Sequence, residues 1–498
     1  MPSRPAPTAR RAAPHPSNTV PARGDSWGML LALVVATIAL GYANQTYGER
    51  ALPWRAAPLG DRAPWLLVVL GDRTFPWLTA SVVACMLALT IPPIARIERQ
   101  GAGPAVAILA GGVAFQLYQL WQTPPDTYLR LLDPGDYETF ANGLAAGLLV
   151  VALLLVAGLG WPGRLPAVVV PLLLLTHFLL GAWLIGHAVQ RQNDVFIFQQ
   201  ESVEALLRGE NPYAITFPDL YADAELPFYG PGLTAGGRTT FGFPYPPLSL
   251  LLALPGQLLG GDLRYGQLVA MTLSGALLAY ARPGRLGLGA TALLLFTPRV
   301  FHILDQAWTE PFVVLLLAAT IFCACRIPRA VPFALGLFLA SKQYLVFAAP
   351  LVGLLLAAPV RWRALWPLWG QAGLVVLAVS LPLVLGDPPG FANAVVILQF
   401  LQPLRLDALS YPAIVARAGG PYLPNWIAFA ALLPALGLAL RRRAGTPTAF
   451  AAAVAFVALI FFAFNKQAFN NYYFLVLGAL CGAIAAAQPA TEGHARPV

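Results

Sequence analysis

Residues 172–189 read LLLLTHFLLGAWLIGHAV, and the chain then turns polar at Arg191-Gln192-Asn193-Asp194-Val195-Phe196-Ile197-Phe198. The apolar run has the length of a membrane-spanning helix, which needs about 20 such residues. The polar insert continues through Asn211-Pro212-Tyr213 to Phe243-Pro244-Tyr245-Pro246-Pro247 before hydrophobicity resumes. No other stretch between apolar segments is as long or as rich in Asp, Glu, Tyr and Pro. A carboxylate just beyond a spanning helix stands at the membrane–water boundary, within reach of lipid-borne and water-borne groups alike.

The rest of the chain has the same greasy character. Of its 498 residues 58% are hydrophobic and only 11% charged, and the mean hydropathy is +0.67. A soluble protein carries about 25% charged residues, so composition predicts an all-α polytopic membrane protein and excludes a soluble class. The net charge of +9 does not imply a nucleic-acid partner, because the arginines fall in short loops between apolar runs, where they report orientation. Lys342 and Lys466 are the two lysines. This Arg bias, with abundant Ala, Gly and Pro, fits a GC-rich bacterial genome and a bacterial plasma membrane. Cys85, Cys323, Cys325 and Cys481 lie in or beside apolar runs and give neither a disulfide framework nor zinc spacing. Residues 1–25, with Arg4, Arg10, Arg11 and Arg23 among Pro, Ala and Ser, are expected to be a disordered cytoplasmic tail. Residues 27–43 lack a small-residue cleavage site and are expected to be a retained anchor.

Candidate spans are 27–43, 75–93, 104–121, 141–160 and 167–189 before the insert. After it come 263–281, 286–302, 309–325, 330–342, 344–359, 364–386, 424–440, 446–464 and 469–487. That makes about fourteen crossings. With the basic tail inside, the Arg96/Arg99 and Arg164 loops also fall inside, and the 190–245 insert falls outside. The 44–74 loop, with Arg50, Arg55, Arg62 and Arg73, opposes this threading. Segment 246–259 is short and broken by Pro255-Gly256. If it dips in and returns, Arg282/Arg285, Arg326/Arg329, Arg361/Arg363 and Arg441-Arg442-Arg443 all fall inside. It is therefore expected to be re-entrant or interfacial, with both termini inside and 488–498 a cytoplasmic tail. Polar groups that are costly in a bilayer then collect on the outer side. These are Arg299, His302, Asp305, Gln306 and Glu310, then Lys342-Gln343-Tyr344, then Asn465-Lys466-Gln467 with Asn470 and Asn471. The two lysines either snorkel to headgroups or hold a phosphate.

Within the insert, residues 194–208 have helical periodicity. Val195, Phe196, Val203, Leu206 and Leu207 share one face, and Asp194, Glu201 and Arg208 the other. Such a helix can lie along a membrane surface, and Gly209 and Pro212 end it. Either Asn193 or Asp194 can serve as its N-cap. Glu201 is a solvated face residue or a second functional acid. The remainder, with Pro218, Pro227, Gly230-Pro231-Gly232 and Gly236-Gly237, is expected to be loop. Its aromatics Phe217, Tyr221, Phe228, Tyr229, Phe241, Phe243 and Tyr245 suit a sugar-stacking or an interfacial surface. Gly287-Leu288-Gly289 has no strand before it, so helix packing explains it better than a nucleotide fingerprint.

Taken together, Asp194, Gly209-Glu210-Asn211-Pro212-Tyr213 and Tyr245-Pro246-Pro247-Leu248 resemble the GT-C superfamily of integral-membrane glycosyltransferases. The branch most similar is that of the bacterial polyprenol-phosphate-mannose-dependent mannosyltransferases. Asp305-Gln306-Ala307-Trp308-Thr309-Glu310 looks like its polar turn before a long helix, and Ala340-Ser341-Lys342-Gln343-Tyr344 like its basic helix end. The resemblance covers 167–487, leaving 26–166 as additional N-terminal helices. The lone Asp at 194, followed by Val195, departs from the paired acids of the protein-glycosylating and aminoarabinose-transferring branches.

The resemblance implies a GT-C-like helical bundle with an outer amphipathic helix and loop insert. It further implies a polyprenyl-phosphate-linked sugar donor, mannose in the nearest branch, and a glycolipid or cell-envelope glycan acceptor. Asp194 would be the base of an inverting displacement. Arg299, His302, Lys342 and Lys466 would hold the donor phosphate. Glu201, Asn211, Tyr213, Tyr245, Gln306, Glu310, Gln343, Tyr344 and Asn470 would bind substrate. No cofactor or metal is expected. A transporter or flippase of a lipid-linked or small polar substrate is the alternative, but it would show related halves and midplane charges.

Overall fold

The computed structural model describes residues 25–50, 65–92, 97, 101–160, 166–190, 193–222, 228–356, 362–441 and 445–488. Apart from Asp25 and Gln488, the two expected tails lie outside the described residues. So do Arg55, Arg62, Arg96, Arg99, Arg164, Arg361, Arg442 and Arg443 of the orientation reading, together with Arg191, Gln192 and Pro227.

A backbone in an apolar medium must satisfy its N–H and C=O groups internally, and the apolar runs do so as helices. Before the insert stand α1 (Trp27–Arg50), α2 (Trp65–Gly71), α3 (Thr74–Thr90), α4 (Ala102–Gln122), α5 (Pro134–Gly160) and α6 (Pro166–His187). The insert supplies α7 (Asp194–Leu207) and a small hairpin of β1 (Thr234–Ala235) and β2 (Arg238–Thr239). Then follow α8 (Pro247–Gly260), α9 (Arg264–Ala281), α10 (Arg285–Leu295), α11 (Val300–Asp305), α12 (Glu310–Arg326) and α13 (Val331–Ala340). A 3₁₀ stretch, Gln343–Leu355, leads to α14 (Trp362–Val384). The chain closes with α15 (Pro388–Leu401), α16 (Tyr411–Arg417), α17 (Ile427–Arg441), α18 (Pro447–Ala463) and α19 (Asn470–Ala486).

The expected all-α class is observed, but the long spans are fewer than expected. Among the described residues five helices are long and apolar enough to cross a membrane. They number six if α2 and α3, bent by 72° at their junction, form one span. Eight further apolar helices are shorter, at 10–17 residues. The difference has a local cause, since several apolar runs are interrupted. The run expected as one span over 286–302 ends its helix at Leu295, and Arg299 then takes a left-handed φ of 68° before α11 begins. Segment 246–259 is indeed short, a 14-residue helix with Pro255 inside it. The insert is not all loop either. Gly236 and Gly237, with φ of 59° and 73°, form the two-residue turn of the β1–β2 hairpin, a conformation glycine adopts without strain.

The core is built on α18 and α19, whose side chains are nearly all buried. The N-terminal helices belong to the same core, for α1 lies against α3, α4 and α19, and α4 against α10. A Cβ on Gly289 would stand 2.4 Å from Leu109 Cδ2, and one on Gly287 2.9 Å from the Arg282 carbonyl, so close helix packing accounts for this glycine pair. The Asp25 carboxylate accepts from Thr448 Oγ1 and from the Gln488 backbone N–H, both at 2.9 Å, tying the start of α1 to the end of α19. By contrast α14 is almost bare, with Trp362 and Trp366 71% and 64% exposed, as suits a lipid-facing helix.

The bundle has two chemically distinct ends. Asn193, Arg264, Gln306, Glu310 and Asn471 converge at one through direct side-chain contacts. Trp27, Ala102, Arg285, Arg326 and Gln488 meet at the other. The 17 residues of α12 join them, a length of about 26 Å. In a cysteine-free background, Ala235→Cys and Arg329→Cys should therefore react with an impermeant maleimide from opposite sides of a sealed vesicle. Labelling of both from one side would contradict a bundle that crosses the bilayer.

Candidate functional site

Helix α7 opens with Asn193 in extended conformation, its side-chain oxygen accepting from Phe196 N–H at 2.8 Å. Asn193 is thus the N-cap, and Asp194 is released from that task. The Asp194 carboxylate instead accepts from Val195 N–H at 2.9 Å and from the Tyr221 hydroxyl at 3.3 Å. Phe196 and Val203 are buried as the periodicity predicts, but so are Gln199 and Ser202, while Leu207 is 54% exposed. The helix is therefore docked on protein along a mixed face, against α8 and the turn before α12.

That turn is a polar lock. Ala307 has a left-handed φ of 55°, uncommon for a residue with a Cβ. Its carbonyl accepts from both Gln199 Nε2 at 2.6 Å and Gln267 Nε2 at 2.8 Å. Asn193 Nδ2 donates to the Gln306 carbonyl at 3.2 Å and to Gln306 Oε1 at 3.3 Å. Gln306 Nε2 in turn donates to Asp305 Oδ2 at 3.1 Å. Asp305 faces the buried Arg264, whose guanidinium is held by Asp262 at 2.7 Å.

Asp194 opens into a cavity of about 230 Å³. Tyr221 stacks on Phe228 at 3.9 Å, and the Arg405 guanidinium lies over the Phe228 ring at 3.9 Å. Arg405 also makes a two-pronged pair with Asp407, at 2.8 and 2.7 Å. Tyr229, Tyr245, Trp308 and Tyr472 add aromatic wall. Among the polar lining groups, Tyr229 Oη, Gln343 Oε1, Gln402 Oε1 and Asn471 Oδ1 are buried with no hydrogen-bond partner. Buried polar atoms are normally satisfied, so these four mark hydrogen-bonding capacity that the protein leaves unused in this cavity. Burial pushes the Asp194 carboxyl above the usual carboxylate range. The Arg405 charge and the bonds from Val195 and Tyr221 oppose that shift without cancelling it.

Beside the cavity sits a closed knot. Lys342 Nζ lies 3.0 Å from Glu310 Oε1 with both side chains buried, donates to Thr309 Oγ1, and stands 3.9 Å from the Tyr245 ring centroid. Glu310 also accepts from Asn471 Nδ2 at 2.8 Å and from the Tyr344 hydroxyl at 3.4 Å. Lys342 is therefore occupied by protein partners.

The cavity gathers Asp194, Tyr245, Gln306 and Gln343 of the expected site residues. Glu310, Lys342 and Tyr344 lie one layer behind, in the knot. The others are placed elsewhere. Arg299 donates to the Gln45 carbonyl and packs on Tyr128, facing the N-terminal helices. His302 bonds the Tyr128 carbonyl at 2.8 Å and meets Trp308 edge to face. Lys466 donates to the Phe400 carbonyl at 3.0 Å and to the Gln402 carbonyl, fixing the loop that carries Arg405. Glu201, half-buried two turns along α7, is outside the lining. Asn211 and Tyr213 are scaffold: Asn211 donates to the Leu383 carbonyl at 2.9 Å and Tyr213 to the Tyr245 carbonyl at 2.8 Å. Asn470 is buried in the first turn of α19 with Oδ1 unpartnered, beside Asn471 of the lining.

Sequence reasoning passed over Arg405, Asp407, Gln399, Gln402 and Tyr472, all of the cavity wall. The available signal was Gln402-Pro403-Leu404-Arg405-Leu406-Asp407, a polar stretch between apolar runs. No protein-family model, curated protein or solved structure matches this chain.

The knot predicts a specific order of stabilities. Removing one partner of a buried pair costs about 3–5 kcal/mol, whereas replacing both by apolar groups is often neutral. Lys342→Met should lower the melting temperature more than Glu310→Leu/Lys342→Met. Unchanged stability of Lys342→Met would show that the pair carries no structural role.

Proposed function

We propose that this protein is an integral-membrane glycosyltransferase, moving mannose from a polyprenyl-phosphate donor to a glycolipid or cell-envelope glycan on the outer face of a bacterial plasma membrane. The observation that carries the reading is the pairing of Asp194 and Arg405 in one aromatic-walled cavity. Ligand sites for drug-sized molecules run to about 300–1,000 Å³, so about 230 Å³ suits a single polar ring. Rings such as Tyr229 and Trp308 stack on the apolar face of a sugar, and unpartnered amides take its hydroxyls. The motif resemblance to GT-C enzymes supports the same reading, with the shorter apolar helices completing about fourteen crossings.

In this mechanism Asp194 accepts the proton of the acceptor hydroxyl as that oxygen attacks the anomeric carbon. The bond from that carbon to the phosphate oxygen breaks, the phosphate leaves with the electron pair, and the sugar carbon inverts. Arg405, rather than Arg299 or Lys342, is the cation facing the leaving phosphate. Its stacking on Phe228 and its pair with Asp407 hold the guanidinium plane in place.

Asp194→Asn should reduce transfer from labelled polyprenyl-phosphate mannose by about 10²-fold or more. Its melting temperature should stay equal or rise, because the amide removes a carboxylate whose ionisation is opposed by burial. Equal transfer by the variant would sink the assignment.

The base must be deprotonated, and burial holds its pKa above the free value, which is about 3.9. Transfer should therefore fall as pH drops through this raised value, with the acid limb above the ordinary carboxylate range. Arg405→Gln removes the opposing charge and should move that limb to higher pH. A limb that stays fixed would show that Asp194 is not the titrating base.

A further inference from the structure

We propose that the end of the bundle opposite Asp194 carries a binding site for an anionic phospholipid. Two cavities adjoin there, of about 500 and 630 Å³, sharing Ala102, Val106 and Arg285 in their walls. The larger is a trough between α4 and α5. Along α4 its floor is made of Gly103, Ala107, Ala110 and Ala114, a spacing that repeats on one helix face. Small residues leave the groove open on both sides: a Cβ on Gly103 of α4 or on Gly160 of α5 would meet no atom within 4 Å. From Ala102 to Leu117 the trough runs along α4 for about 22 Å. One leaflet of hydrocarbon is about 15 Å thick, so the trough has length to spare for an acyl chain.

The smaller cavity supplies the headgroup end. Arg282, Arg285 and Arg326 line it, and no Asp or Glu does among the described residues. Arg282 Nε is buried there without a hydrogen-bond partner, and Arg326 Nε donates to the Tyr280 carbonyl at 3.1 Å. Guanidinium groups suit phosphate because their planar fork bonds two oxygens at once. An apolar trough that ends on arginines, with no carboxylate among the described lining residues to neutralise them, matches one ligand chemistry: a fatty chain joined to a phosphate. A zwitterionic headgroup would bring its own cation into the arginine cluster, so a net-anionic glycerophospholipid is favoured. The site is independent of the transfer proposed at the other end, about one helix length away.

The test uses full-length protein purified in detergent and delipidated. Native mass spectrometry and thermal unfolding are followed with added phosphatidylglycerol, phosphatidylcholine or inorganic phosphate. The expected result is retention of phosphatidylglycerol several-fold over phosphatidylcholine, with a rise in melting temperature that phosphate alone does not give. Arg285→Gln should weaken retention at the headgroup end. Gly103→Leu, whose side chain enters open space in the trough, should weaken it while leaving the arginines intact. Equal retention of the two lipids, undiminished retention by Gly103→Leu, or the same thermal shift from inorganic phosphate would each overturn the proposal. The lipid comparison on unmodified protein keeps the test decisive if a variant fails to fold.

Discussion

The carbonyl of Ala307 fixes the working end of this protein. In an apolar bundle an unpaired polar group costs free energy that few contacts can return, so polar side chains at depth must find one another. Gln199 from α7 and Gln267 from α9 both donate to that one oxygen, and Asn193 reaches the neighbouring Gln306. Two segments distant in sequence are thereby pinned to one turn. The left-handed φ of Ala307, a strain of about 1–3 kcal/mol by itself, persists because these bonds determine it. The buried Asp262–Arg264 pair, facing Asp305, anchors the turn from behind. Asp194 inherits its position from this arrangement, since the residue that caps its helix is the one bonded to Gln306.

What could be read in the chain follows from range. The helical class, the helix at 194–208 and the shortness of 246–259 are local properties of period and composition, and all are observed. The aromatics Tyr221, Phe228, Tyr229, Phe241 and Tyr245 could be nominated because they share an insert with Asp194, and all line its cavity. Arg405 could not, because nothing local relates residue 405 to residue 194. The loop holding it is set by Lys466, whose ammonium binds the Phe400 and Gln402 carbonyls and whose own carbonyl accepts from Arg405 N–H at 3.0 Å. A lysine that reads as a phosphate ligand in sequence therefore acts on the site by placing an arginine. Asn211 and Tyr213 show the converse, a recognisable motif whose side chains bond backbone carbonyls to shape the wall.

Asp194 and Glu310, two acids at the cavity and just behind it, illustrate how partners divide roles. Glu310 is surrounded by Lys342, Asn471 and Tyr344, each of which pairs with its carboxylate. Among the described residues Asp194 accepts from one hydroxyl and one backbone N–H, and the Arg405 charge that acts on it is itself paired to Asp407. Under-answered charge makes a poor structural element and a good base, because taking up a proton relieves the cost of burial. The same contrast separates the cations: Lys342 is enclosed on every side, while Arg405 lies in the cavity wall.

This division requires that polar chemistry stay at one end of the helices and simple charge at the other. Helix α12 runs from Glu310, bound into the knot, to Arg326, exposed beside Arg282 and Arg285. At the first end Glu310 meets Lys342 and Arg264 meets Asp262, so most charges there find partners within the protein. At the second, three arginines line a cavity with no carboxylate among the described lining residues, so none of those residues supplies the answering negative charge. In a bilayer the anion available at that depth is a lipid phosphate, and the open trough between α4 and α5 is where its chain would lie. Held there, the lipid would join α4 to the arginine-bearing ends of α10 and α12.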